Sequence, residues 1–346
     1  MPSPWESLLD EALLRDVLPP DYAHFARPVR DGLARFLDGL PQPDQEDVLR
    51  AQATLPPDAS FSKRLGELAR SCPVLHKLGQ ILARDQRLAP ELRRHLRELE
   101  SMPPAVSLEQ IQGLLDAELG GLGARGVTLR PPAIAEASVA VVIPFEQRGS
   151  ERQGVFKILK PGIEDRLTRE LALLEHVGEY LDERCDELRI PHLDYREAFQ
   201  QVRDKLGDEI QLENEQRHLQ LARNFYADEP SVQIPEILDH CTPRVTAMER
   251  VTGGKVTSHL LDNPRETRKL AALLARALIA RPVFSFAESA LFHGDPHAGN
   301  LFLTHDGRLA ILDWSLVGWL GESERIAVAQ LTLGGAMLDS GHIVAV

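Results

Sequence analysis

Apolar residues along positions 1 to about 125 recur at helical spacing and are cut into segments by prolines. Trp5 to Val17 sets Leu8, Leu9, Ala12 and Leu13 at helical intervals, and Pro19-Pro20 ends the pattern. Pro41 to Pro57, rich in acidic residues and proline, predicts an exposed loop with a short helix. Phe61 to Ile81 and Pro90 to Leu99 predict amphipathic helices. Ser107 to Leu119 predicts another, with a serine N-cap followed by Glu109 and Gln110. Near Gly120 the pattern turns β-rich: Val127 to Leu129, Ser138 to Phe145, and Gly154 to Leu159, the last ended by Pro161-Gly162. Helices over 163–185 and 195–226 precede short strands at Val232 to Ile234 and Val245 to Val251. After Thr252-Gly253-Gly254 the chain reads as helix from Arg265 to about Ala290. Leu301 to Leu303 and Leu309 to Leu312 then flank Thr304-His305-Asp306-Gly307-Arg308, an Asp-Gly hairpin turn. The order predicts a helical extension over 1–125, a mixed lobe over 126–251 and a mainly helical lobe over 252–346.

Composition narrows the class. A chain of 346 residues with 43% apolar content can bury a sizeable core and suits two lobes. Thirty-nine basic against fifty-two acidic side chains give a net charge of −13, which excludes the electrostatic footprint of a nucleic-acid binder. Cys72, Cys185 and Cys241 stand far apart with no CxxC pair, against a disulfide scaffold or structural zinc and for a reducing compartment. The amino terminus lacks the basic region of a signal peptide. The longest apolar candidate, Leu270 to Phe292, is interrupted by Arg276, Arg281, Pro282 and Glu288, so no transmembrane segment is expected. These features predict a cytoplasmic chain.

The chemistry concentrates in His293-Gly294-Asp295-Pro296-His297-Ala298-Gly299-Asn300, with Asp313 thirteen residues further on. Aspartate and asparagine five apart, with a second aspartate beyond a hairpin, match the catalytic-loop and metal-loop spacing of kinases. Phosphoryl transfer needs a group that orients the attacking hydroxyl and oxygen ligands for Mg²⁺. Lys157, in Val155-Phe156-Lys157-Ile158, is the second signal: a lysine within an apolar strand needs a partner, and in kinases such a lysine meets the phosphates and a helix glutamate.

Lys77-Leu78-Gly79-Gln80, before a helix ending in Glu100-Ser101-Met102-Pro103-Pro104, resembles the KxGQ segment of the UbiB/AarF family of atypical protein-kinase-like ATPases, associated with coenzyme Q (ubiquinone) and isoprenoid-lipid biology. The resemblance runs from about Lys63 to Gly321. It implies an α+β, protein-kinase-like two-lobed fold with an N-terminal helical extension. Because the chain stops at Ile343-Val344-Ala345-Val346, the helical C-lobe is expected to be shortened, without the membrane-spanning helices of some family members. It also implies ATP and Mg²⁺ as cofactors, and lipid or quinone-pathway components as partners at a peripheral membrane location.

Residue by residue, the resemblance implies Asp295 and Lys77 as catalytic, with Asp295 orienting a hydroxyl or water and Lys77 on a lid helix near the phosphates. Lys157 and Glu215 would position phosphates, Ala135, Ala137 and Ser138 would form the alanine-rich phosphate loop, and Met248 and Glu249 would border the adenine. Gln80, Glu209 and Gln211 would gate the site, and Asn300 and Asp313 would hold the metal. Three positions depart from the family. Glu136 puts a negative charge in the phosphate loop, Gln211 replaces the aspartate of an ExD element, and Asp313-Trp314-Ser315 stands for DFG. His293-Gly294-Asp295 and Asp313-Trp314 also resemble the signatures of aminoglycoside and choline phosphotransferases, so a small-molecule kinase is an alternative, as is a nucleotide-sensing pseudokinase scaffold.

Overall fold

Prolines mark several helix boundaries: Pro73 and Pro90 open helices, and Pro19 and Pro41 follow the ends of two others. The computed structural model describes residues 4–5, 8–99, 106–150, 152–259 and 263–337. Glu100 to Pro104 and Ile343 to Val346 lie outside the described residues. The chain begins with α1 (Glu11–Val17), α2 (Ala26–Gly39), α3 (Gln42–Ala53), α4 (Phe61–Ser71), α5 (Pro73–Leu82), α6 (Pro90–Glu98) and α7 (Leu108–Leu119). Strands β1 (Val127–Leu129), β2 (Ala135–Glu136), β3 (Ala140–Gln147) and β4 (Gln153–Leu159) lead into α8 (Ile163–Glu183), α9 (Cys185–Leu188), α10 (Tyr195–Asp208) and α11 (Leu212–Phe225). Then come β5 (Val232–Gln233), β6 (Val245–Glu249), β7 (Gly253–Lys255), α12 (Pro264–Ala275), α13 (Arg281–Val283), β8 (Ala290–His293), β9 (Leu301–Thr304), β10 (Leu309–Ile311), β11 (Val317–Leu320) and α14 (Glu322–Met337).

Four expectations are corrected. The stretch from Pro41 to Pro57 is mostly the regular helix α3, which buries Val48 and Gln52. The single helix expected over Phe61 to Ile81 is two, because Pro73 forces Cys72 into an extended conformation (φ −124°, ψ 121°) and starts α5 at its own position. The helix expected over 195–226 breaks between α10 and α11, with Gln211 non-helical (φ −91°, ψ 69°). The helix from Arg265 widens to a π turn at Arg276–Ala280 before Pro282 and ends at Val283.

The chain forms two compact units that share it in alternation: Met1–Leu114, Pro131–Ile143 and Ile158–Ile210 in the first, Leu115–Arg130, Pro144–Lys157 and Gln211–Val346 in the second. In the first unit, α10 and α2 pack along α8, and α5 packs against α4, α6 and α8. Phe36, Leu37, Val48, Leu68, Leu96, Leu167 and Leu174 are buried in its core.

The five-stranded sheet runs β1-β3-β4-β6, with β2 pairing β3. In the second unit Leu129 lies opposite Phe145, and the Phe145 ring stacks on Phe156 at 4.0 Å. A second sheet runs β5-β10-β9-β7, its β9–β10 hairpin pairing Leu303 with Leu309 and Leu301 with Ile311 around the expected Asp-Gly turn. A third pairs β8 with β11, His293 opposite Val317. The β9–β10 hairpin, with β8 and β11 paired outside it, brings the segments 294–300 and 312–316 side by side.

Candidate functional site

In the second unit, β4 has β3 on one side and β6 on the other, and every residue from Gly154 onward is buried, so the Lys157 ammonium must find its charge partners inside. It does. Lys157 Nζ lies 2.7 Å from each carboxylate oxygen of Glu215, which α11 buries to 2% exposure. It also donates to Asp313 Oδ2 at 3.0 Å. Burial disfavours the ammonium, but Asp313 and then Glu215 raise its pKa above that of an ordinary lysine.

Asp313 follows β10 in a turn that Trp314 anchors. The indole is fully buried, donates from Nε1 to the Ile311 carbonyl at 3.1 Å, and sits 4.8 Å from the His293 ring. The Trp314 carbonyl accepts from His218 Nδ1 of α11 at 3.1 Å. Asp313 Oδ1 accepts both the Ser315 N–H (3.0 Å) and the Ser315 hydroxyl (2.7 Å). Burial acts to raise the Asp313 pKa, but the Lys157 ammonium and the Ser315 donors overcome it and hold the carboxyl well below the usual range. Among non-glycine described residues only Arg189 and His240 have positive φ, so Ser315 sits without backbone strain where DFG has glycine.

The segment carrying Asp295 and Asn300 is tied to this turn by backbone hydrogen bonds, Gly294 N–H to the Leu316 carbonyl and Leu312 N–H to the Asn300 carbonyl, each 2.9 Å. A Cβ on Gly294 would come within 2.7 Å of Leu316 Cγ, which explains glycine there. The Asp295 N–H donates to His293 Nδ1 (3.1 Å), placing the imidazole proton on Nε2. Asn300 Nδ2 reaches the Asp295 carbonyl at 3.5 Å, and its backbone N–H donates to the His297 carbonyl at 2.9 Å. Met248, on β6, is buried and bridges to Ile237. The Glu249 carboxylate accepts from Gln233 Nε2 (3.1 Å) and the Glu236 N–H (3.2 Å), so it fastens its own hairpin. Gln211 is exposed and its side chain does not cap α11.

The first unit holds the other predicted residues. Lys77, on α5, forms a half-buried ion pair with Glu209, the C-cap of α10. Gln80 Nε2 donates to the Leu99 carbonyl at 3.2 Å, beside buried His76, whose Nε2 reaches the same carbonyl at 3.1 Å. A Cβ on Gly79 would meet Leu99 Cδ1 at 2.9 Å and Leu96 Cδ2 at 3.1 Å, so the glycine lets α5 lie close to α6. In the β2–β3 turn Ala135 and Ala137 are exposed and Ser138 is buried. Glu136, expected to repel phosphate, is instead buried and paired with Lys160 at 2.7 Å, while accepting the Val106 N–H at 3.3 Å.

Sequence reasoning missed Lys160, His218 and Ser315. For Lys160 the sequence held no local signal, because the burial of Glu136 is a tertiary property; for Ser315 the signal was its place after Asp313-Trp314. The Mg²⁺ donor chemistry fits in part: Asp313 and Asn300 supply hard oxygen donors, and among the described residues no cluster of three or more His, Cys, Asp or Glu side chains gathers to hold a metal. Such a set suits a cation that also takes phosphate oxygens.

The ABC1 atypical kinase-like domain matches residues 98–346. The chain belongs to the ABC1 family. Two relatives of this ABC1 protein are the chloroplastic "activity of BC1 complex kinase 3" of Arabidopsis thaliana, 28% identical over 281 residues covering 78% of this chain and 38% of the relative, and a probable protein kinase UbiB of Xanthomonas campestris pv. campestris, 24% identical over 303 residues covering 82% and 52%. The chain thus spans about half, or less, of the length of these curated relatives. Rv3197 of Mycobacterium tuberculosis, solved in complex with erythromycin, has a similar fold at a TM-score of 0.53 and 22% identity, covering 70% of this chain and 59% of that one. The UbiB/AarF resemblance and the kinase-like fold are therefore correct for this ABC1 chain. Among the described residues no helix is long and apolar enough to cross a membrane.

Proposed function

We propose that this ABC1 domain binds ATP with Mg²⁺ and acts as a kinase-like ATPase or phosphotransferase. The observation that carries the reading is Lys157 bridging Glu215 and Asp313, a buried cation aimed by one carboxylate and shared with a second. When bound, magnesium-ATP supplies the electrophilic phosphoryl group and neutralises its oxygens. Glu215 keeps Lys157 charged and fixed, so its ammonium is ready for a phosphate oxygen. Asp313 and Asn300 are the residues that would hold the metal. Asp295, a half-buried carboxylate on the tied segment, would accept a hydrogen bond from the attacking hydroxyl or water and orient it. The Lys77–Glu209 pair is proposed as the gate, with Gln80 fixing the helix that carries it. Isoprenoid-lipid or quinone-pathway partners, at a peripheral membrane location, are proposed from kinship with the UbiB-named relatives.

The test is thermal. ATP should raise the melting temperature only with Mg²⁺ or Mn²⁺, by mass action on the native state, about 2.7 kcal/mol at one hundred times the dissociation constant. Asp313→Asn should abolish that shift, and Mg²⁺-dependent phosphate release should fall with it. An unchanged shift in Asp313→Asn removes Asp313 from the metal site.

A further inference from the structure

An ionised carboxylate offers about four lone-pair sites, two on each oxygen. At Asp313 three are claimed by protein. Oδ1 accepts the Ser315 N–H at 3.0 Å and the Ser315 hydroxyl at 2.7 Å, which fills it. Oδ2 accepts Lys157 at 3.0 Å and keeps one site. Lys157 cannot turn away freely, because both Glu215 oxygens hold it at 2.7 Å. The backbone N–H would be present with any residue at 315 other than proline. The hydroxyl is what this sequence adds in place of the DFG glycine.

Resting on the reading of Asp313 as the metal aspartate, we infer that Ser315 is a positioning residue that reserves Oδ1 and so sets which divalent cation the site prefers. With Oδ1 filled, Asp313 offers a cation one oxygen. That suits Mg²⁺, which takes single oxygens in a small octahedron. It works against Ca²⁺, which accepts six to eight oxygens and uses carboxylates bidentately. Losing the hydroxyl returns a lone pair to Oδ1 and opens the second mode.

The experiment measures the concentrations of Mg²⁺ and of Ca²⁺ that give half the maximal rise in melting temperature with a non-hydrolysable imido analogue of ATP. Wild type is compared with Ser315→Gly, Ser315→Ala and Ser315→Thr. The Ala variant removes the hydroxyl without the backbone freedom of glycine, and melting without nucleotide checks that each variant folds. Both hydroxyl-free variants should move the ratio toward Ca²⁺ by roughly tenfold, as outer-shell ligand partners do. Ser315→Thr should keep the wild-type ratio. A ratio unmoved beyond about twofold in Ser315→Ala, or moved equally in Ser315→Thr, overturns the inference while leaving the nucleotide reading intact. No metal-dependent rise in wild type overturns that reading, and the inference with it.

Discussion

Lys157 shows what a buried charge costs to leave alone. Glu215 is 2% exposed and meets the ammonium with both oxygens, and Asp313 meets it at 3.0 Å, so removing the lysine leaves a buried and a half-buried carboxylate without their cation. Lys157→Met should destabilise the native state by about 3–5 kcal/mol in urea unfolding. Adding Glu215→Gln to it should recover part of that loss, because only Asp313, which keeps its Ser315 donors, then remains charged without the lysine. Additive losses would mean the pair does not act as one. At this scale the sequence was informative where chemistry forces a partner: a lysine inside an apolar strand demanded a carboxylate, and Glu215 at the right helix position answered it. It was uninformative where one group has several possible partners. Glu136 looked like a misplaced charge because nothing in its own strand announces Lys160, two strands later in the chain. Gln80 looked like part of a gate, yet its amide serves the Leu99 carbonyl.

Helix α5 carries the KxGQ residues between two buried titratable groups with opposed effects. Burial pushes Glu170 up from 4.5 to about 7 while it accepts the Val74 N–H at 2.9 Å and pairs with Arg166 at 3.0 Å. Burial pulls His76 down from 6.5 to about 4. The raised carboxyl stabilises the fold below its unfolded pKa, a contribution lost as pH rises through about 7. The depressed imidazole does the reverse: its contribution is present above 6.5 and lost as pH falls toward about 4. Between them the slopes oppose. Glu170→Gln should leave the His76 slope alone, so mutant minus wild-type stability should rise by up to about 3 kcal/mol from pH 5 to pH 8. A flat difference in unfolding free energy across that range would return Glu170 to an ordinary carboxylate pKa. Element identity was mostly legible because period and turn chemistry are local. Element ends were not: the Cys72 break is written in Pro73, but the break at Gln211 follows from tertiary packing, since Leu206 is buried with α8 in one unit and Leu212, Glu215 and Leu219 in the other.

Across the whole molecule, a net charge of −13 opposes an approaching nucleotide polyanion. Raising ionic strength from 0.01 M to 0.15 M shortens the screening length from about 30 Å to about 8 Å. The association rate of magnesium-ATP should therefore rise severalfold over that range in stopped-flow, although surface ion pairs weaken. A falling rate would show that the local field around Lys157 outweighs the total. The division into two units has a different consequence, for the gene. The chain passes from one unit to the other after Leu114, Arg130, Ile143, Lys157 and Ile210. A recombination breakpoint anywhere between codons 115 and 210 splits both units, and no uninterrupted reading frame encodes either one. Exchange with a relative that crosses over outside that window divides only one unit, so this stretch should be inherited as a block.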